Sequence, residues 1–289
     1  MQLTRRTACQ ALAASALTPW TRLAAETKAD EQLRVIAYNI YGCTGWPKDR
    51  PLAKKAVAQG QMARRLAQQL ALYDAHIINF SESPEEEVTQ QVADLLQMNH
   101  VRFPSGGNWP GTLLSRYPIR EVQNAPLEGE RPRELFTRHW GRAVVDVPKI
   151  GPLIVHSAHL HPVPDPTIRL KEVRAMLQTM QADLRDNKSM LLIGDLNHNP
   201  DTEEHRLWTK AGWVDTFDKV GTGDGLTIKA DLPKYRIDYV MAAGPIAGQV
   251  LESRPLFEGA FRLNVHDDQG FALSDHLPQF AAFRSSAAE

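Results

Sequence analysis

Short, β-rich apolar runs recur between Leu33 and Phe283, and most of them stop at or just before a polar side chain that strand formation alone does not require. The run from Leu33 ends on Asn39, the run His76 to Phe80 leads into Ser81 and Glu82, and Leu153 to Ala158 leads into His159. Met190 to Ile193 leads into Asp195 and Asn197, Asp238 lies in the run Ile237 to Met241, and Asp275 and His276 precede Gln279 to Phe283. Runs apolar at most positions are strands with little exposed face, so other layers must cover them. Those layers are legible in between. Residues 53–72 carry Val57, Met62, Leu66 and Leu70 at helical spacing, interrupted only by Gly60, and read as one amphipathic helix. Pro84 and three glutamates open a second helix toward Leu96, and further helices are expected over 167–184 and 203–211. Residues 112–115, 120–123 and 142–147 read as additional strands. Strands mixed with helices along the whole chain predict an α/β (α+β) sandwich whose sheets are covered by helices.

A length of 289 residues, 43% of them hydrophobic and 23% charged, suits a single large core, and no Pro/Gly/Ser-rich linker divides the chain. One domain is expected over residues 30–285. The net charge of -1 supplies no overall basic footprint for a polyphosphate partner, which favours a small substrate. A basic groove within a neutral protein remains the alternative, and Arg131, Arg133, Arg138 and Arg142 are its candidates. Residues 1–25 differ from the rest: Arg5-Arg6, a short apolar stretch from Ala8 to Leu17, then Leu23-Ala24-Ala25. This order is that of a cleaved export signal, with the arginine pair suggesting the twin-arginine route, and implies a periplasmic or secreted protein without a stable membrane anchor. Removal of the signal takes Cys9 with it and leaves Cys43 alone, so stability must come from the core and not from a disulfide. Nothing in the sequence speaks to oligomeric state.

Any one Asp or His at a strand end has an ordinary job there, capping or turning the chain. Together, Asn39, Glu82, His159, Asp195, Asn197, Asp238, Asp275 and His276 offer what a hard divalent cation and a phosphoryl group need at once. Carboxylates suit the metal, and neutral or cationic donors suit the ester oxygens. Competing chemistries lack their residues. No cysteine cluster or His-Glu-x-x-His offers a zinc site, no Walker loop is present, and no Gly-x-Ser-x-Gly elbow supports acyl transfer. The glycine-rich segment Gly221 to Gly225 follows no strand and reads as a loop.

The ordered motifs Tyr38-Asn39-Ile40, Ser81-Glu82, Leu113 to Ile119, His159-Leu160, Gly194-Asp195-Leu196-Asn197, Arg236-Ile237-Asp238-Tyr239 and Ser274-Asp275-His276-Leu277-Pro278 resemble the endonuclease/exonuclease/phosphatase superfamily. The resemblance implies a deoxyribonuclease I-like, four-layer sandwich of two mixed β-sheets flanked by helices, with a cleft at one end of the sheets. It also implies roles. Glu82 resembles the principal metal carboxylate, with Asn39 beside it as metal or phosphate contact, and Asp275 a further metal or outer ligand. Asp195 and Asn197 match the pair that orients the attacking water, and Asp238 the carboxylate that orients the imidazole of His276. His159 matches a histidine placed near the scissile ester in the deoxyribonuclease and sphingomyelinase branches, and Arg116 is the candidate phosphate-binding arginine. The implied cofactor is Mg2+, with Mn2+ or Ca2+ as substitutes of the same oxygen-ligand chemistry. Two departures count against a DNA-repair assignment: Tyr41 stands where that branch has an acid, and Glu82 follows serine instead of glutamine. The expected function is therefore an exported, metal-dependent hydrolase of phosphate mono- or diesters. An extracellular nuclease and an inactive binding module on the same fold are the alternatives.

Overall fold

The computed structural model describes residues 31–127 and 129–285, so the expected export signal lies outside the described residues. The strands are β1 (Gln32–Asn39), β2 (Ile77–Ser81), β3 (Asn99–Phe103), β4 (Gly111–Ser115), β5 (Ile119–Asn124), β6 (Trp140–Val147), β7 (Gly151–His159), β8 (Met190–Asp195), β9 (Val214–Asp215), β10 (Asp238–Ala243), β11 (Val250–Pro255) and β12 (Gln279–Arg284). The helices are α1 (Pro51–Ala58), α2 (Met62–Ala71), α3 (Glu86–Leu96), α4 (Thr167–Arg185), α5 (Glu203–Lys210) and α6 (Thr216–Val220).

Alternation along β1 explains the layering. Val35 and Ala37 face one way and join Ile77, Val145, Val155, Leu191, Ile193 and Val240 in an apolar layer between two sheets. Ile36 and Tyr38 face the other way and pack with Leu66 and Leu70 of α2 and Val92 of α3. On the far side of the second sheet, Val173, Met176 and Met180 of α4 and Trp208 of α5 pack on Val144, Leu192 and Met241. Three apolar interfaces make four layers, as expected.

The first sheet has the order β11-β12-β1-β2-β4-β3, and the second β5-β6-β7-β8-β10-β9. Both are mixed: β1 and β2 run parallel, as do β7 and β8, and their other neighbours are antiparallel. Among the described residues, no helix is long and apolar enough to cross a membrane.

Two expectations are corrected. The single helix over 53–72 is two helices, because Gly60 takes φ +63° and lies between α1 and α2. Strands β3 and β11 were not expected. Each forms one edge of the first sheet, and their mixed or largely exposed faces (Asn99, His100 and Arg102; Leu251 and Glu252) leave little apolar pattern to read.

Candidate active site

Topology brings the polar strand ends together. Parallel β1 and β2 both finish at one edge, with Asn39 opposite Ser81, and parallel β7 and β8 finish with His159 opposite Asp195. Antiparallel β10 begins where β8 ends, with Asp238 opposite Asp195, and β12 begins beside the end of β1, with Gln279 opposite Ala37. The 274–278 segment is thereby delivered to the same edge. The two sheets meet there through side chains: Asn39 Nδ2 donates to Asp195 Oδ2 at 3.0 Å and to Glu82 Oε1 at 3.2 Å.

Local backbone geometry aims the groups. Glu82 and Asn197 lie in the left-handed region, at φ 53° and 52°, a conformation that non-glycine residues hold only when their surroundings fix it. The turn at Glu82 is fixed by Gly42 N donating to its carbonyl at 2.9 Å and by Ser83 N donating to Pro110 O at 2.9 Å. At Asn197, the backbone N–H donates to Asp195 Oδ1 at 3.1 Å and the side chain donates to Leu160 O at 3.0 Å. Ser274 Oγ donates to Asn39 O at 2.7 Å and accepts from His276 N at 3.2 Å, which ties the last motif to the end of β1. Thr227 joins the same loop to β10: its Oγ1 accepts from Asp238 N at 3.3 Å and its carbonyl accepts from Leu277 N at 2.7 Å.

The two imidazoles flank Asp195. His276 Nδ1 lies 2.9 Å from Asp238 Oδ2, and its Nε2 lies 3.9 Å from Asp195 Oδ2. His159 Nε2 lies 3.5 Å from that same oxygen. All four residues are buried, whereas Glu82, Asn197 and Asp275 are half-buried. Burial alone would push His276 down, but Asp238, then Asp195 and Asp275, outweigh it and raise its pKa to about 10. His159 has no anion on its second nitrogen, and burial, reinforced by His139, Arg138 and His276, pushes it well below its ordinary value. Burial and then the Asp238 charge raise Asp195, and burial raises Glu82 against the lowering effect of Asn39 and His276.

Arg116 is the one expected site residue that the fold takes elsewhere. It follows β4, which runs antiparallel to β2 with Ser115 opposite Ile77, so Arg116 lies at the opposite end of the sheet from Glu82. There it pairs with Asp74 at 2.5 Å. The cation at the site is instead Arg138, which raises no signal beyond membership of the arginine-containing run 131–142. It is half-buried over the Trp109 ring (5.1 Å), its Nε has no partner, and Glu82, Asp195 and Glu172 all act on its charge. Arg142 of the same run is turned away toward Asp183 (3.6 Å) and Glu121 (3.9 Å), and Arg131 and Arg133 are exposed.

The donor set fits a hard divalent cation. Four carboxylates and the Asn39 amide gather at one edge of the two sheets, ligand atoms of Asp195, Asp238 and His276 come within 4.8 Å of one another, and Asp238 Oδ1 is buried without a hydrogen-bond partner. His276 Nδ1 is bonded to Asp238, and Glu82, Asn39 and Asp275 are the further residues whose oxygens could serve such a cation, Asn39 Oδ1 already accepting from Tyr41 N at 3.1 Å. A second group, His205 with Asp215 and Asp218, has comparable spacing, but Arg236 sits between its carboxylates at 2.5 Å from each and neutralises them.

A doubled sheet with buried acids, an imidazole–carboxylate pair and an arginine at one edge defines a deoxyribonuclease I-like hydrolase. The chain belongs to the Endonuclease/Exonuclease/phosphatase family, whose sequence model matches residues 36–276. No curated protein matches it in sequence. Among solved structures, it is similar to an endonuclease/exonuclease/phosphatase from Bacteroides vulgatus (TM-score 0.67, 14% identity, covering 88% of this chain and 98% of that one). It is also similar to a mannosyl-6-phosphatase from Bacteroides thetaiotaomicron (TM-score 0.66, 15% identity, 86% and 98% covered). A third is truncated TDP2 from Caenorhabditis elegans (TM-score 0.64, 13% identity, 88% and 97% covered). At these identities the likeness is one of fold.

Proposed function

We propose that this chain is an exported, divalent-metal-dependent phosphoesterase that directs water at the phosphorus of a small mono- or diester. The observation that carries the reading is the contact of Asn39 with both Glu82 and Asp195, which supports a metal-holding role for Glu82 next to the His276–Asp238 pair. Glu82, Asn39 and Asp275 would hold the cation, which supplies charge that offsets the anionic ester and draws on its oxygens. Asp195, with its affinity for a proton raised by burial, accepts the proton of the attacking water, and Asn197 helps to orient that water. His276, kept cationic by Asp238, stabilises charge on the phosphoryl oxygens, with Arg138 as a second positive group. As the O–P bond to water forms, the bond to the ester oxygen breaks, and that oxygen leaves with the Nε2 proton of the His276 imidazolium, with the N–H of His159 as a further donor to the phosphoryl group.

A small substrate is supported by the fate of the arginines: of the four candidates for a basic groove, only Arg138 feels the charge of the site acids, while Arg142 pairs with Asp183 and Glu121 and Arg131 and Arg133 are exposed. Retention of Glu82, Asp195, Asp238, His159 and His276 in one connected set of contacts with Asn39 argues against an inactive binding module. The arginine pair and apolar stretch of residues 1–25 support export. The test is a panel of phosphate mono- and diesters with magnesium or with chelator. Magnesium-dependent release from a small ester, abolished by chelation, is expected. Cleavage of DNA that falls steeply with salt, without turnover of any small ester, would replace this reading by the nuclease one.

A further inference from the structure

We propose that His139 is a positioning residue that keeps the neighbouring His159 neutral with its proton on Nε2, so that His159 presents an N–H to the ester. This rests on the phosphoesterase reading above. His139 immediately precedes β6 and stands opposite His159 of β7, whose N–H donates to the His139 carbonyl at 2.9 Å. The two rings are neighbours, with centroids 6.4 Å apart. His139 is fully buried, and Gly111 of β4 makes room for it: a Cβ there would come within 2.0 Å of the His139 ring.

Donor and acceptor accounting then fixes the protons. Asn79 Nδ2 donates to Ser157 Oγ at 2.5 Å, and Ser157 Oγ lies 2.9 Å from His139 Nε2. If His139 Nε2 carried the proton, the serine hydrogen and the His139 Nδ1 lone pair would both lack partners. If the serine donates to Nε2, the Nδ1–H of His139 is left over, together with Asn79 Oδ1, which lacks a partner in both arrangements. An unpaired buried polar group is costly, so the second arrangement is favoured. Burial pushes His139 down to about 3, so it carries one proton, on Nδ1.

His159 has the complementary need. Its Nε2 faces Asp195 Oδ2 at 3.5 Å, and a carboxylate only accepts, so the proton belongs on Nε2. The bare Nδ1 of His159 is buried without a partner, as is Nδ1 of His139. A donor without an acceptor thus lies on the ring adjoining an acceptor without a donor, with the ring centroids 6.4 Å apart, and a water shared by the two nitrogens is the link the proposal requires. The neutral series Asn79, Ser157, His139 does for His159 what a carboxylate does for His276, with opposite consequence: it sets the tautomer without adding charge.

The test uses the full chain with 15N-labelled histidine, reading tautomers by long-range 1H–15N NMR, which needs no substrate. His159 is expected as the Nε2–H tautomer, and His139→Phe should shift it toward the Nδ1–H form. Turnover of the best ester in the panel should then fall roughly 10–100-fold in kcat with KM little changed, and His139→Gln, which keeps an amide donor, should recover most of it. Should His139→Phe fail to fold, Ser157→Ala, which removes the hydroxyl that orients His139, serves in its place with the same expected tautomer shift. The proposal is overturned if wild-type His159 carries its proton on Nδ1, or if the variant leaves both tautomer and kcat unchanged. A wild-type protein that hydrolyses no ester but shows the expected tautomer would sink the phosphoesterase reading and leave this assignment standing.

Discussion

His159 and His276 approach the same oxygen of Asp195 from 3.5 and 3.9 Å, both are buried, and yet they titrate in opposite directions. The difference lies behind the rings. Asp238 bonds the far nitrogen of His276 and raises it to about 10, whereas the far nitrogen of His159 has no anion and burial wins. In a low-dielectric site, the partner on the second nitrogen decides whether an imidazole is a fixed cation or a neutral donor.

The largest expected effect comes from removing the charged side of this comparison. His276→Ala and Asp195→Asn should each lower kcat by about 10⁴-fold while the fold survives, and near-normal turnover by either purified variant would end the proposed roles. Asp238→Asn should make His276 resemble His159, with a fall of about 10²–10³-fold and loss of its imidazolium near neutral pH by NMR titration. The same change alters stability in a defined direction. Because the folded pKa of His276 is raised from 6.5 to about 10, its stabilising contribution is complete below 6.5 and is lost as pH rises through about 10. Denaturation midpoints of the wild type should show that alkaline loss, and those of Asp238→Asn should not. A persistent alkaline loss in the variant would mean that another group causes it.

His159→Gln keeps a donor and should cost only about 10-fold in kcat, whereas His276→Gln should be as inactive as the alanine variant. Equal losses at both positions would erase the distinction between the two rings. Arg138→Ala should raise KM about 10-fold, as expected for losing a hydrogen bond from a charged group. The smallest effect belongs to Arg116→Ala, within about twofold of wild type, because Arg116 is an exposed partner of Asp74 at the other end of the sheet. A drop in kcat/KM at Arg116 matching that at Arg138 would contradict the placement of both.

Asn39, Glu82, Asp195, Asp238 and His276 were legible because each closes or adjoins an apolar run within an ordered set of motifs. Arg116 misled because a motif says which residues belong to a strand and not which end of the sheet that strand reaches; antiparallel pairing with β2 sends it away. Arg138 stood only as one of four groove candidates, Ser274 only as a motif member and Thr227 not at all, because their value lies in what they touch: a tryptophan face, a carbonyl of β1, an amide of β10. The edge strands β3 and β11 were missed because a half-exposed strand lacks the apolar excess that announces a buried one.

The order of apolar runs and of the polar groups that end them determined the family, the layered α/β architecture and the chemical inventory of the cleft. Tertiary structure decided which inventory members meet, because residues as distant as Asn39 and Asp195 become hydrogen-bond partners only when two sheets stack in register. It also decided charge: the same side chain, histidine, is a cation or a neutral donor according to burial and the neighbour on its second nitrogen, and neither is written in local sequence.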